Sequence, residues 1–153
     1  MRAIGLDLGS VRIGVAVSDS GGAVATPLQV VRRSRDRAAD HRSIRDLVVE
    51  WEAEIVVVGL PVHLSGAVGA TARSALEEAE ELRATVGVPV ETYDERLTTV
   101  TAERSLMDMK MNAAERRRVV DQVAAAVMLQ AWLDHRRPEP PDSDTPLFPT
   151  HPD

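Results

Sequence analysis

The chain has 153 residues, 44% of them hydrophobic, a net charge of −6 and no cysteine. That is about one domain with material for a real core, and it excludes a disulfide scaffold, a thiolate metal site and a cysteine nucleophile. Aromatic residues make up only 3%, which argues against a single-strand binder built on stacked rings.

The apolar N-terminus is interrupted by Asp7 and Arg12, and the longest apolar run, Val123 to Leu129, is far too short for a bilayer. The expectation is therefore a cytoplasmic chain with neither signal segment nor membrane span. Residues 3–8 and 12–19 are short apolar runs around Gly9-Ser10, and they predict a β-hairpin with Ile13, Val15 and Val17 on one face. A third strand is expected near 26–33. Ile44, Leu47, Val48 and Trp51 then recur at helical spacing within 36–53.

Ile55-Val-Val-Val-Gly-Leu-Pro is a β-branched run of the kind buried on both faces of a sheet. Residues 69–85 predict an amphipathic helix with an acidic outer face, and 88–92 a fifth strand. Helices are expected over 99–109 and 113–135, the second opened by the capping-box pair Asn112 and Glu115. The domain is expected over 1–137. Residues 138–153 hold six of the nine prolines and read as a disordered acidic tail. This order, a hairpin-led set followed by βαβ crossovers, predicts an α/β fold: a mixed five-stranded sheet with helices on both faces.

Charge is segregated along the chain. Residues 32–45 carry six arginines against Asp36 and Asp40, a local balance of +4, and Arg116, Arg117 and Arg118 form a second basic run. An acidic protein can in this way present a basic contact face, although solvated helix surfaces explain either run alone.

Three acids occupy unusual positions. Asp7 lies inside the first strand, on the side of Gly5 and Gly9, where small neighbours leave space around it. Asp121 is the only charged residue between Val119 and Leu133, and a charge on such a helix is costly unless paired or metal-bound. Glu95 follows the last strand, at the carboxyl edge where open α/β sheets place their sites. Together they would form an all-oxygen cage for hard cations, Mg²⁺ or Mn²⁺, of the kind that supports phosphodiester displacement. Singly, each has a duller reading: a turn aspartate, a salt bridge to Arg117 or Arg118, and a surface pair with Arg96.

Arg12 and Arg96 are placed to hold phosphate oxygens. Thr98 or Thr99 caps the following helix by position, and Thr98 is the third candidate substrate contact. Gly59-Leu60-Pro61 reads as a turn or a substrate contact, and His41, His135 and His151 as peripheral.

Gly5-Leu-Asp7-Leu-Gly9 with Arg12-Ile-Gly-Val-Ala16, Val58-Gly-Leu-Pro61, Asp94-Glu-Arg-Leu-Thr-Thr99, Ala102-Glu-Arg104 and Asp121-Gln-Val-Ala-Ala125 with Leu129 together resemble the YqgF (RuvX) family over residues 2–134. The resemblance implies a ribonuclease H-like fold related to the Holliday junction resolvase RuvC. It also implies a metal-dependent nuclease maturing the 5′ end of pre-16S ribosomal RNA, with Asp7, Glu95 and Asp121 as the catalytic and metal-binding acids and Asp94 as the alternative to its neighbour Glu95. Branched DNA is the alternative substrate, a non-catalytic RNA-binding assembly factor the alternative role, and a monomer or homodimer the expected state. Where relatives carry Asn and Asp after Gly-Leu-Pro, this chain has His63-Leu-Ser65-Gly66.

Overall fold

The computed structural model describes residues 1–60, 70–95 and 113–136, with side-chain surroundings given outside 70–71 and 113–122. Among these residues, five strands and three helices follow in the order expected: β1 (Ala3–Leu8), β2 (Arg12–Ser18), β3 (Ala25–Arg32), α1 (Arg37–Glu50), β4 (Ile55–Leu60), α2 (Ala70–Val86), β5 (Val90–Asp94) and α3 (Ala113–Arg136). The helix expected over 99–109 and the tail 138–153 lie outside the described residues.

The sheet order is β3-β2-β1-β4-β5. β1 is its seam, antiparallel to β2 and parallel to β4. Alternation along the strands divides the core in two. Ile4, Leu6, Ile13, Val15, Val56 and Val58 face α1 and α2, where they meet Ile44, Leu47, Val48, Ala79 and Leu82. Ala3, Ala16, Ile55 and Val57 face α3, where they meet Ala124, Ala125, Met128, Leu129 and Trp132. β4 is buried on both faces from Ile55 to Gly59, as its unbroken β-branched run requires.

Local chemistry sets the boundaries. Asp36 caps α1, its carboxylate accepting from the Ala38 and Ala39 amides at 3.0 and 3.3 Å, which satisfies donors that the first turn leaves open. β5 starts two residues later than the sequence suggests, because pairing with β4 begins at Val90 opposite Val56. The carbonyl of Pro89, just before it, accepts from the Val56 amide at 2.9 Å. On the other side of the sheet, α3 comes very close to β1. A Cβ added at Gly5 would stand 2.8 Å from the Leu129 Cβ and 3.3 Å from the Ala125 carbonyl. Only glycine allows that approach.

Candidate functional site

Asp7 sits one residue from the end of β1, directly opposite Gly14 of β2, and is 8% exposed. Alternation places it on the α3 face, beyond Gly5 on the same side of the strand. Leu6 pairs with Val58 in the parallel register, so Asp7 and Gly59 follow as neighbours at the carboxyl ends of adjacent strands.

Glu95 immediately follows β5. Glu91 and Tyr93 of that strand both face α3, through the Glu91 bond from Trp132 Nε1 at 2.9 Å and the packing of Tyr93. Glu95 continues the same alternation, with Asp94 on the opposite side. The glycine at position 59 provides its seat: a Cβ there would meet Glu95 Oε1 at 2.9 Å and Met128 Cγ at 3.3 Å. Gly59, read from sequence as a turn or substrate contact, is therefore a space-maker for a carboxylate. The bulge-free pairing of Gly59 with Tyr93 shows that it belongs to the strand.

Asp121 lies in α3, with its side chain outside the described residues. Its backbone position is one helical turn before Ala125, which packs on Gly5. The helix runs antiparallel to β1, since Leu133 lies near Gly22 and Gly22 near the Met1 carbonyl. Position 121 therefore falls over the Asp7 end of the strand. Among the described residues no cluster of three acids or histidines forms a metal cage. The two described acids of the expected set, Asp7 and Glu95, share one face and one edge.

The arginines divide into two groups. Arg12 and Arg32 are direct cross-strand partners at the open end of β2 and β3, on the face of Gly14 and Asp7, and among the described residues neither has an ion-pair partner. Arg33, Arg37, Arg42 and Arg45 are paired to Glu78, to Glu78 and Glu81, to Asp36 and to Asp46. The run 32–45 is therefore not one basic contact face, because most of its charge is answered within the fold. Arg96 and Thr98, and the loop at His63–Gly66, lie outside the described residues.

Two sequence expectations need correction. Glu78 does not belong to the acidic outer face of α2, for it is 2% exposed. The spacing Ala75, Glu78, Leu82 already put it on the buried stripe. His41 is not peripheral either: it is 2% exposed and its Nε2 lies 2.7 Å from Glu78 Oε2. Burial alone would push the Glu78 carboxyl up, but hydrogen bonds from Arg33, His41 and Arg37 outweigh it and hold the carboxyl at about 2. Tyr93, hydrogen-bonded to His135, has its phenol pushed up by burial and by the charges of Asp134 and Asp94.

The sequence profile of the RuvX family, described as "Holliday junction resolvase", matches residues 1–135. A protein of Mycobacterium ulcerans named "Putative pre-16S rRNA nuclease" is 51% identical over 138 residues, covering 89% of this chain and 80% of the relative. A protein of the same name from Anaeromyxobacter is 52% identical over 136 residues, covering 89% and 98%. Among solved structures, RuvC of Thermus thermophilus in complex with a Holliday junction substrate superimposes with a TM-score of 0.55 at 20% identity, covering 89% of this chain and 96% of that one. The fold is thus ribonuclease H-like.

Proposed function

The chain belongs to the RuvX family, and from that premise we propose that it is a metal-dependent nuclease. Its proposed task is to hydrolyse phosphodiester bonds of pre-16S ribosomal RNA in the cytoplasm. One observation carries the reading. Asp7 and Glu95, 88 positions apart in sequence, come to the carboxyl edge of the sheet on either side of β4, whose Gly59 is left bare to seat the second carboxylate. Open α/β sheets bind ligands at that edge.

The donors fit a hard divalent cation. They are carboxylate oxygens on a rigid strand and at a strand end, without sulfur or imidazole, and Asp7 is largely shielded from water. Mg²⁺ or Mn²⁺ would be held by Asp7, Glu95 and Asp121 and would supply charge stabilisation and an activated water for in-line displacement. Asp7 would be the inner ligand, fixed by a strand paired on both edges. Glu95 would reach the ion from above Gly59, where no Cβ stands in its way. Asp121 would close the cage from α3.

Arg12 and Arg32 would bind phosphate oxygens beside that cage. Two like charges directly opposite across a strand pair are unfavourable, and a bound phosphate would reverse the sign of that term. Arg96 and Thr98, next along the chain from Glu95, complete the proposed substrate contacts.

The test is incubation of the purified protein with a pre-16S RNA fragment in Mn²⁺, Mg²⁺ or EDTA, beside Asp7→Asn. Cleavage should need the metal and fall by about 10²-fold or more in the variant, whose circular dichroism should match the parent's. Full activity in Asp7→Asn, freed of host nucleases, would overturn the assignment. The family description favours one second reading, cleavage of four-way DNA junctions. The same assay on a junction substrate decides between them.

A further inference from the structure

Behind the sheet, on the side away from Asp7, the turn that follows this acid is held by a buried ionic clamp. The Gly9 amide donates to the carbonyls of Arg12 and Asp7 at 2.9 and 3.1 Å. The Gly9 carbonyl accepts from Arg33 Nε at 2.6 Å, and the Arg33 backbone amide donates to the Val11 carbonyl at 2.9 Å. The two remaining guanidinium nitrogens donate to the two oxygens of Glu78, each at 2.8 Å. Glu78 is in turn gripped by His41 at 2.7 Å and Arg37 at 3.3 Å. One chain of bonds thus joins the hairpin turn, α1 and the middle of α2.

Stability alone does not explain such a cluster. Buried ion networks can usually be replaced by well-packed apolar side chains at little loss, and sometimes with gain. Apolar groups cannot fix the direction of a carbonyl, whereas a planar guanidinium donating along three fixed vectors can. The carbonyl so fixed belongs to Gly9, two residues after Asp7 and three before Arg12. No side chain could assist there, because a Cβ on Gly9 would lie 2.6 Å from the Arg12 carbonyl.

From this geometry we infer that Arg33 and Glu78 are positioning residues for the acidic site, setting through Gly9 the angle at which β1 delivers Asp7 and β2 departs with Arg12. The inference rests on the reading of Asp7 as a site carboxylate. Neither residue touches substrate in this assignment. They act from the opposite face, and misplacement by about 1 Å is enough to cost an active site much of its rate.

A cleft of about 500 Å³ lined by Gly9, Ser10, Arg33, Arg37 and Glu78 opens beside the clamp, which makes chemical rescue feasible. The experiment uses the full chain with Arg33→Ala, and with Arg33→Met/Glu78→Met as the apolar pair should the single variant fail to fold. Expected is a fall in kcat of about tenfold or more with KM within about twofold. Amide exchange at Gly9 should accelerate, while Leu6 and Val15 keep the parent's rates. Low-millimolar guanidinium, but not sodium at equal ionic strength, should restore both kcat and Gly9 protection to Arg33→Ala.

Parental kcat in the apolar pair would overturn the inference. So would exchange that quickens equally at Gly9, Leu6 and Val15, which would mean general loosening of the hairpin. A parent that cleaves no nucleic acid would instead remove the nuclease reading and, with it, the catalytic part of the inference. The clamp would then stand or fall on Gly9 exchange, unchanged protection in either variant overturning it.

Discussion

The two faces of the sheet are built on opposite principles. Toward α1 and α2 the strands present Ile4, Leu6, Ile13, Val15, Val56 and Val58, large branched side chains that fill volume, and the buried acid Glu78 there is enclosed by two arginines and a histidine. Toward α3 the same strands present Ala3, Gly5, Ala16 and Gly59, so that helix and sheet meet closely, and the acids Asp7 and Glu95 stand at the edge. One face neutralises its charges internally to fix geometry. The other gives up packing volume to bring backbone and carboxylates together. In a protein this small, holding the frame and bearing the proposed chemistry are divided between faces rather than between domains.

Breaking the first face should cost most. Glu78→Gln leaves Arg33 and His41 without their shared carboxylate, and loss of one partner from a buried ion network destabilises by about 3–5 kcal/mol. The folded-state carboxyl is held at about 2 against an ordinary 4.5. Its contribution should thus be complete above about pH 4.5 and vanish as pH falls through 2. Melting curves of parent and variant should be far apart at neutral pH and converge on acidification. A constant gap down to pH 2 would contradict the pairing.

The second face is sharpened by Gly5→Ala, which forces a methyl to 2.8 Å from the Leu129 Cβ. Overpacking of this kind costs about 1–3 kcal/mol. If close approach is the cause, Leu129→Gly, which removes the Cβ that the methyl meets, should cost less in the Gly5→Ala background than in the parent, as thermal denaturation of the single and double variants would show. A fully additive pair would point elsewhere.

Smaller still should be the stability effect of Arg12→Gln, which removes one of two facing like charges. Its melting temperature at low salt should hold or rise slightly, while the log–log salt dependence of RNA binding falls by about one unit. Arg42→Gln, whose partner is Asp36, should leave that slope unchanged. Equal slopes in both variants would remove Arg12 from the contact surface. Least of all, deletion of residues 138–153, rich in proline and poor in core-forming side chains, should leave the melting temperature unchanged within a degree or so. A drop of several degrees would show that Leu147 or Phe148 docks on the domain.

Most of the fold was legible because hydrophobic period is a local signal. β1 falls on 3–8 as expected, and the helix expected over 36–53 is α1 at 37–50. β5 begins at Val90 rather than at Val88, because pairing rather than propensity decides where a strand begins. Asp7 stood out because a charge amid Leu6 and Leu8 is locally odd. Glu78 did not, surrounded by Glu77, Glu80 and Glu81, although its phase with Ala75 and Leu82 was sufficient. That its partners would be Arg33, Arg37 and His41 depends on how α1 lies against α2, which no local window contains. The bare seat at Gly59 was equally hidden, since its tenant comes from 36 positions further along.

The position of β1 at the seam also bears on the order in which a working site can come into being. Its antiparallel partner β2 follows after only a short turn, and such a hairpin closes within microseconds. The parallel partner β4 begins 47 residues after the end of β1, so Asp7 gains its second neighbour only after α1 has been made. Glu95 and α3 come later still. As the chain emerges from its N-terminus, Asp7 is thus placed early but remains a solitary acid until Glu95 is made, and the proposed set is complete only when α3 has followed. On the proposed assignment, a half-made chain cannot cut the RNA around it.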